Sequence, residues 1–127
     1  MTLNEIVNHP EIRPFMGGFG YLDAEELRDD RNVIFEGDGW AIVYFYRDEG
    51  VYDIHVCFMP DKRGRFAIEK TKETLKAMFL SGADLIIGAA HDHRTRLYGR
   101  MCGFVHSSEL YGVEYGLIHR SSSCLSV

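Results

Sequence analysis

The sequence lacks three features that would each assign it to a particular class of protein. No stretch of its 127 residues approaches the roughly 18 uninterrupted apolar residues of a membrane-spanning helix. Its first residues have neither the basic nor the apolar segment of a signal peptide. Its three cysteines are an odd number without CxxC spacing, which is typical of free thiols. We therefore expect a globular domain in a reducing compartment, the cytoplasm, with no membrane partner.

Basic residues are also in the minority, and their distribution is uneven. The chain has 14 Lys and Arg against 19 Asp and Glu, and this net charge of −5 argues against a nucleic-acid partner. Residues 62–100 hold nine of the basic residues and four of the acidic ones, so this segment is +5 while the remainder is −10. The pattern predicts either a local anionic ligand or a solvated, mostly basic helix face.

The hydrophobic patterns predict one α/β domain over residues 1–120 and a flexible tail over 121–127. Two short helices come first, one capped by Thr2 and Glu5 and one at 24–29, with a glycine-rich connection at 17–20 between them. The later elements are strands 32–36, 40–46, 52–59, 84–90, 104–110 and 113–119, and helices 65–80 and 94–101. A parallel crossover through helix 65–80 predicts a mixed sheet with helices on both faces.

One segment has the character of a phosphate-binding turn. Residues 56–67 read VCFMPDKRGRFA, which is a strand end, a tight basic loop and the start of the long helix. The amides of a first helical turn are unpaired, and the positive end of the helix dipole attracts anions. The side chains of Lys62, Arg63 and Arg65 are placed to assist in binding a phosphate group. An ordinary β-to-α turn with basic surface residues is the alternative, because Gly64 is the only glycine in the loop.

A second motif lies some 30 residues further on, where residues 92–104 read DHRTRLYGRMCGF. Together the two motifs resemble those of the GNAT superfamily of acetyl-CoA-dependent N-acetyltransferases, and the order of elements is similar over roughly 32–120. The resemblance implies a GNAT-like fold, with a bulge or splay between the fourth-type and fifth-type strands. Those strands are 52–59 and 84–90 here.

The resemblance also implies how acetyl-CoA, as co-substrate, is held without a metal ion. Pantetheine would run between the splayed strands and bond to the backbone of the first one, and the pyrophosphate would lie against the amides of residues 63–67. The helix at 94–101 would flank the thioester. The implied binding residues are Val56, Phe58, Lys62, Arg63, Gly64, Arg65, Phe66, Ala67 and Arg94.

Three positions depart from the family pattern. Phe66 stands where the loop usually has its second glycine, and Asp92 stands where the second motif usually has asparagine. Gly99 stands where a tyrosine often protonates the departing thiolate. Tyr98 is one position early, about 100° round the helix. Whether catalysis survives the changes at Phe66 and Gly99 is therefore an open question at the level of sequence.

Transfer of an acyl group to an amine needs a base near the attacking nitrogen and a donor for the thiolate. His55 and Asp53 share one face of the strand beside the expected gap, and His91 ends the neighbouring strand. Each could instead be a half-buried polar residue at a sheet end. The candidate catalytic residues are His55, Asp53, His91 and Tyr98.

Two other kinds of chemistry have weaker support. His91 and His93 would project together only from an extended segment, and they lack a third metal ligand at a typical spacing. Cys57 and Cys102 occur in apolar patterns and are interpreted as packing thiols rather than nucleophiles.

Two functions remain. The first is an enzyme that transfers acetyl from acetyl-CoA to a primary amine of a small molecule or a protein. The second follows from residues 8–15, NHPEIRPF, which resemble the start of short GNAT-like proteins of tailed bacteriophages. That resemblance implies a catalytically degenerate assembly component, in the host cytoplasm or the virion, with a second copy or virion proteins as partners.

Overall fold

The computed structural model describes residues 1–16, 19–29 and 31–120 of the chain. The predicted tail, Cys124 and two of the connecting glycines lie outside these residues. Among the described residues, no helix is long and apolar enough to cross a membrane. The helices are α1 (Leu3–Val7), α2 (Arg65–Leu80) and α3 (His93–Met101), and the strands are β1 (Val33–Gly37), β2 (Trp40–Asp48), β3 (Val51–Phe58), β4 (Leu85–Ala90), β5 (Val105–Leu110) and β6 (Val113–His119).

The helices begin where local signals predict. At α1 the Glu5 amide donates to the Thr2 hydroxyl and the Thr2 amide donates to the Glu5 carboxylate, which completes a capping box. The expected helix at 24–29 is instead a short 3₁₀ turn, Ala24–Leu27. It ends early because Arg28 leaves helical geometry, with ψ at 51°. Two further 3₁₀ turns lie at Arg13–Phe15 and Pro60–Lys62.

The six strands form one mixed sheet in the order β1-β2-β3-β4-β6-β5. Only β3 and β4 are parallel, and α2 connects them. The other neighbours are antiparallel. The predicted crossover and the α/β mixed sheet are confirmed.

Helices cover both faces of this sheet. On one face, α2 and α3 pack over a large apolar cluster that includes Tyr44, Phe79 and Ile86. On the other face, α1 and the 3₁₀ turn at 24–27 cover a smaller cluster that includes Val7 and Cys57. The middle of β2 is buried because both layers cover it, as its apolar residues on both faces predict.

Candidate functional site

The parallel strands β3 and β4 part halfway along their length. They pair at three positions, the last being Asp53 with Ile87. Beyond that point β3 stays paired with β2 as far as Phe58, and β4 stays paired with β6 as far as Ala90. We call the resulting gap the notch. A cavity of about 690 Å³ lies there, lined by residues from both faces of the sheet.

The backbone of β3 presents hydrogen-bonding groups to the notch. The Met59 amide donates to the Gly39 carbonyl at 2.9 Å, so this residue directs its backbone towards β2. Backbone groups of alternate residues point to opposite edges of a strand, so those of Val56 and Phe58 point to the notch. There the Arg63 Nε donates to the Phe58 carbonyl at 3.1 Å. The two residues predicted to bond pantetheine therefore line the cavity, along an edge of β3 that no neighbouring strand pairs with.

Glycines let Phe104 pack closely against the β4 side of the cavity. A Cβ atom on Gly88 would lie 3.2 Å from the Phe104 ring, and one on Gly116 would lie 3.1 Å from the Phe104 Cβ. Phe104 therefore rests directly on the backbone of β4 and β6, and it forms a wall of the cavity.

The start of α2 stands at the mouth of the notch. Gly64 precedes the helix with φ at 85° and ψ at −137°, a conformation that essentially only glycine adopts. The first helical bond runs from the Ile68 amide to the Gly64 carbonyl at 3.1 Å, and no side chain caps the helix. The amides of residues 65–67 are therefore left without helical partners.

Phe66 does not obstruct this helix start. Its ring packs edge-on against Trp40 and Phe58, with centroid distances of 6.5 and 6.3 Å, and does not line the cavity. The side chain at the second-glycine position thus turns onto the sheet and away from the cavity.

The basic side chains around the helix start divide into two pairs. Arg63 and Arg94 line the cavity. Lys62 does not line it and has its Nζ 5.7 Å from the centre of the Phe66 ring. Arg65 is 92% exposed and bonds Glu69 at 3.0 Å, so its side chain points to solvent. Only the first pair is therefore positioned at the cavity itself.

Asp92 has a structural reason for being a carboxylate. It caps α3 by accepting from the Thr95 amide at 2.9 Å, and this bond lowers the pKa of its carboxyl. His93 is the first residue of α3, and His91 follows the end of β4, so the two histidines belong to different segments of the backbone. No group of three metal-binding side chains occurs in the described part of the chain.

His55 and His91 meet at the cavity, on the sheet face opposite α2. Burial lowers the pKa of His55, the nearby Asp53 works against this shift, and His91 adds to it. The His55 ring is also fixed by an edge-on contact with Phe45 at 5.0 Å. His55 is therefore held neutral, which a proton acceptor requires. Asp53 lies outside the cavity and pairs with Arg47 at 3.3 Å.

Tyr98 lines the cavity, but its hydroxyl is bonded to α2. It contacts the Thr71 hydroxyl and donates to the Ala67 carbonyl at 3.3 Å. Burial raises the pKa of Tyr98 well above its usual value. A Cβ atom on Gly99, the next residue of α3, would lie 4.0 Å from the Phe104 Cβ.

The buried thiols match their interpretation as packing groups. Cys57 and Cys102 are both buried and reduced. Burial raises the pKa of the Cys57 thiol to about 12 and that of Cys102 to about 11, so neither is a thiolate at neutral pH.

Two groups of cavity residues have no counterpart in the sequence motifs. On the α3 side, the Glu114 carboxylate is 12% exposed and contacts His106 Nδ1 at 2.7 Å and Arg100 at 3.3 Å. The bond to His106 and the arginine charges lower the pKa of Glu114. On the opposite side lie four residues of the N-terminal segment, which we call the N-terminal wall: Glu11, Ile12, Phe15 and Met16. Neither group has a local signal, because tertiary contacts alone assemble them.

The fold is that of solved GNAT acetyltransferases, and the fold prediction is confirmed. A variant of the spermidine N-acetyltransferase SpeG from Vibrio cholerae matches with a TM-score of 0.64 at 15% identity, over 76% of this chain and 70% of that one. The same Vibrio enzyme in complex with CoA and spermine gives 0.63 at 14%, over 77% and 71%. A Bacillus subtilis acetyltransferase in complex with CoA gives 0.61 at 12%, over 76% and 81%. No family model matches the chain, and no curated protein is similar to it in sequence.

Proposed function

We propose that this protein is an acyl-CoA-dependent N-acyltransferase that moves an acetyl group from acetyl-CoA to a primary amine. The observation that carries the proposal is the notch: parallel strands part beside an uncapped, basic helix start. A thin ligand with an anionic end fits this arrangement, because one strand edge offers backbone bonds and the helix offers amides. The CoA complexes of the Vibrio and Bacillus proteins, which have the same fold, support this assignment.

The proposed binding site uses fewer side chains than the sequence suggests. Backbone groups of Val56 and Phe58 bond the pantetheine arm, and the amides of residues 65–67 hold the pyrophosphate. Arg63 and Arg94 supply the positive charge, since both line the cavity. Arg63 must release the Phe58 carbonyl as the arm enters, and its guanidinium then lies beside the phosphates. Lys62 and Arg65 add attraction from outside the cavity.

The proposed chemistry is direct attack. The amine nitrogen bonds to the thioester carbonyl carbon, the carbon–sulfur bond breaks, and the sulfur keeps the electron pair. His55 accepts the proton that the amine loses, because it is held neutral and lines the cavity. His91 is the second candidate for the same role. Asp53 acts at most through its charge on His55, and Tyr98 is not available as the acid while its hydroxyl bonds α2.

One observation favours the alternative function, a GNAT-fold protein that serves in assembly. Tyr98 is engaged by α2 and Gly99 carries no side chain, so α3 presents no acid for the thiolate. In the transferase, solvent would then have to be the donor that protonates the CoA thiolate. Under either function, the buried free thiols suit a reducing compartment such as the cytoplasm.

Titration of purified protein with acetyl-CoA tests the proposal. At about 100 times the dissociation constant, ligand adds about 2.7 kcal/mol to the free energy of unfolding. For a domain of this size the melting temperature then rises on the order of 10 °C. Adenosine is the control, because it lacks both pyrophosphate and pantetheine. No stabilisation by millimolar acetyl-CoA would favour the assembly function.

A further inference from the structure

The N-terminal wall is mostly apolar. Ile12 is buried, and the 3₁₀ turn at Arg13–Phe15 presents Phe15 beside it. The Phe15 ring lies 6.5 Å from the His91 ring and is 57% exposed, so part of its surface is available to a ligand. Met16 completes this wall and accepts a hydrogen bond from the Cys57 thiol at 3.5 Å. A ligand that reaches the two histidines from this side therefore passes over aromatic and thioether surface.

The cavity offers few carboxylates for a positively charged ligand. Among the residues that the structure describes, three acidic ones line it: Glu11, Asp92 and Glu114. Asp92 caps α3, and Glu114 is bonded by His106 and Arg100. Glu11 is the remaining one, and no ion pair to its carboxylate is found in the described part of the chain. The cavity thus has one carboxylate that can compensate a ligand cation.

We infer that the acceptor is a primary amine with a single positive charge and an aromatic or branched apolar body, rather than a polyamine. This inference rests on the proposed function and adds the substrate class. The apolar body contacts Ile12, Phe15 and Met16, and the ammonium group is attracted to Glu11. It gives one proton to solvent to become a neutral amine, and the proton released on attack passes to His55. A polyamine would bring two or more further charges into the cavity, where the described residues offer no second free carboxylate to pair with them, which is costly.

The experiment compares 2-phenylethylamine with spermidine as acceptors, with thiol release from acetyl-CoA as the readout. We expect kcat/KM to be at least about tenfold higher for 2-phenylethylamine, in line with one to two well-packed aromatic contacts. Phe15→Ala raises KM for 2-phenylethylamine roughly five- to tenfold and leaves kcat within about twofold. Glu11→Gln raises the same KM by a smaller factor.

Two control variants match these changes in type and lie outside the cavity. Phe19→Ala removes an aromatic ring that is fully exposed in the same segment, and Glu26→Gln neutralises a carboxylate of the 3₁₀ turn at 24–27. Both should leave the kinetics of either amine unchanged. Because Phe15 is more than half exposed, Phe15→Ala should also keep the wild-type melting temperature, which confirms that it folds.

Calorimetry with acetyl-CoA alone separates the possible failures. If acetyl-CoA does not bind, the proposed function fails and this inference fails with it. If acetyl-CoA binds but spermidine is acetylated as well as 2-phenylethylamine or better, the inference alone is overturned. It is also overturned if neither amine is acetylated, or if Phe15→Ala has the same effect as Phe19→Ala.

Discussion

The two sides of the cavity are built differently, although one notch joins them. On one side stands the N-terminal end of α2, a helix of 16 residues that buries six of them in the core. On the other side, the N-terminal wall takes Phe15 from a 3₁₀ turn of three residues, none of which is buried. The first side is basic and held by regular hydrogen bonds. The second is apolar, with one carboxylate, and is held by a few side-chain contacts.

This difference separates two tasks. A phosphate site needs backbone amides at fixed positions, and a long packed helix supplies them. An acceptor site needs shape and polarity that suit one amine, and short turns change more readily than a core helix. The comparison therefore predicts that substitutions at α2 affect acetyl-CoA binding, while those at the histidines and the N-terminal wall affect turnover and acceptor choice.

The largest expected effect is that of His55→Gln. If His55 is the base, kcat/KM falls roughly 10²- to 10⁴-fold while the dissociation constant of acetyl-CoA stays within about threefold. His91→Gln is the comparison, since it alters the other histidine at the cavity. If His91→Gln lowers kcat/KM more than His55→Gln does, the base is His91, after the end of β4, and not His55.

The same variant also reports on the burial of His55. The pKa of His55 is lowered in the folded protein, so the unfolded chain binds a proton that the folded protein does not. Stability is therefore complete above the unfolded pKa of about 6.5 and decreases as the pH falls below it. We expect the free energy of unfolding, measured by chemical denaturation, to fall less between pH 7.5 and pH 5.5 in His55→Gln than in the wild type. An identical pH dependence in both proteins would contradict the burial of a neutral histidine.

A smaller effect is expected at the helical side of the cavity, where Gly64→Glu adds bulk and negative charge at the phosphate position. The dissociation constant of acetyl-CoA should rise at least about 100-fold, or about 2.7 kcal/mol. Gly82→Glu is the matched control, because Gly82 also has positive φ and open space but lies at the far end of α2. Both variants lose stability through backbone strain. If both variants bind acetyl-CoA equally well, the phosphate site does not lie at the start of α2.

The smallest effect is expected for Tyr98→Phe. Loss of its hydroxyl removes the bonds to Thr71 and Ala67 and lowers the free energy of unfolding by about 1 kcal/mol. Because the hydroxyl serves α2 and not the thiolate, kcat should fall less than about threefold. A loss near 100-fold would assign the acid to Tyr98 after all and would weaken the separation of the two sides.

Much of the fold could be read from local patterns. The bounds of α2 match the prediction at both ends, since apolar residues at helical spacing and the Ser81-Gly82 stop are local signals. The bounds of β6 also match the prediction, and the other five strands differ from it by one or two residues at one or both ends. Among the candidate site residues, Val56, Phe58, Gly64 and His55 line the cavity and Asp53 does not, and their roles stay predictions. Alternation placed Asp53 on the correct face of β3, but it could not show that the strands stay paired at that level.

By itself the sequence determined the order of the elements, the parallel crossover and the glycine that opens α2, because periodicity and backbone conformation depend on neighbouring residues. Only the tertiary structure decided where β3 and β4 part, which way Tyr98 and Phe66 turn, and that residues 11–16 lie over the histidines. These features depend on contacts between segments far apart in the chain, and packing among them is what selects one arrangement.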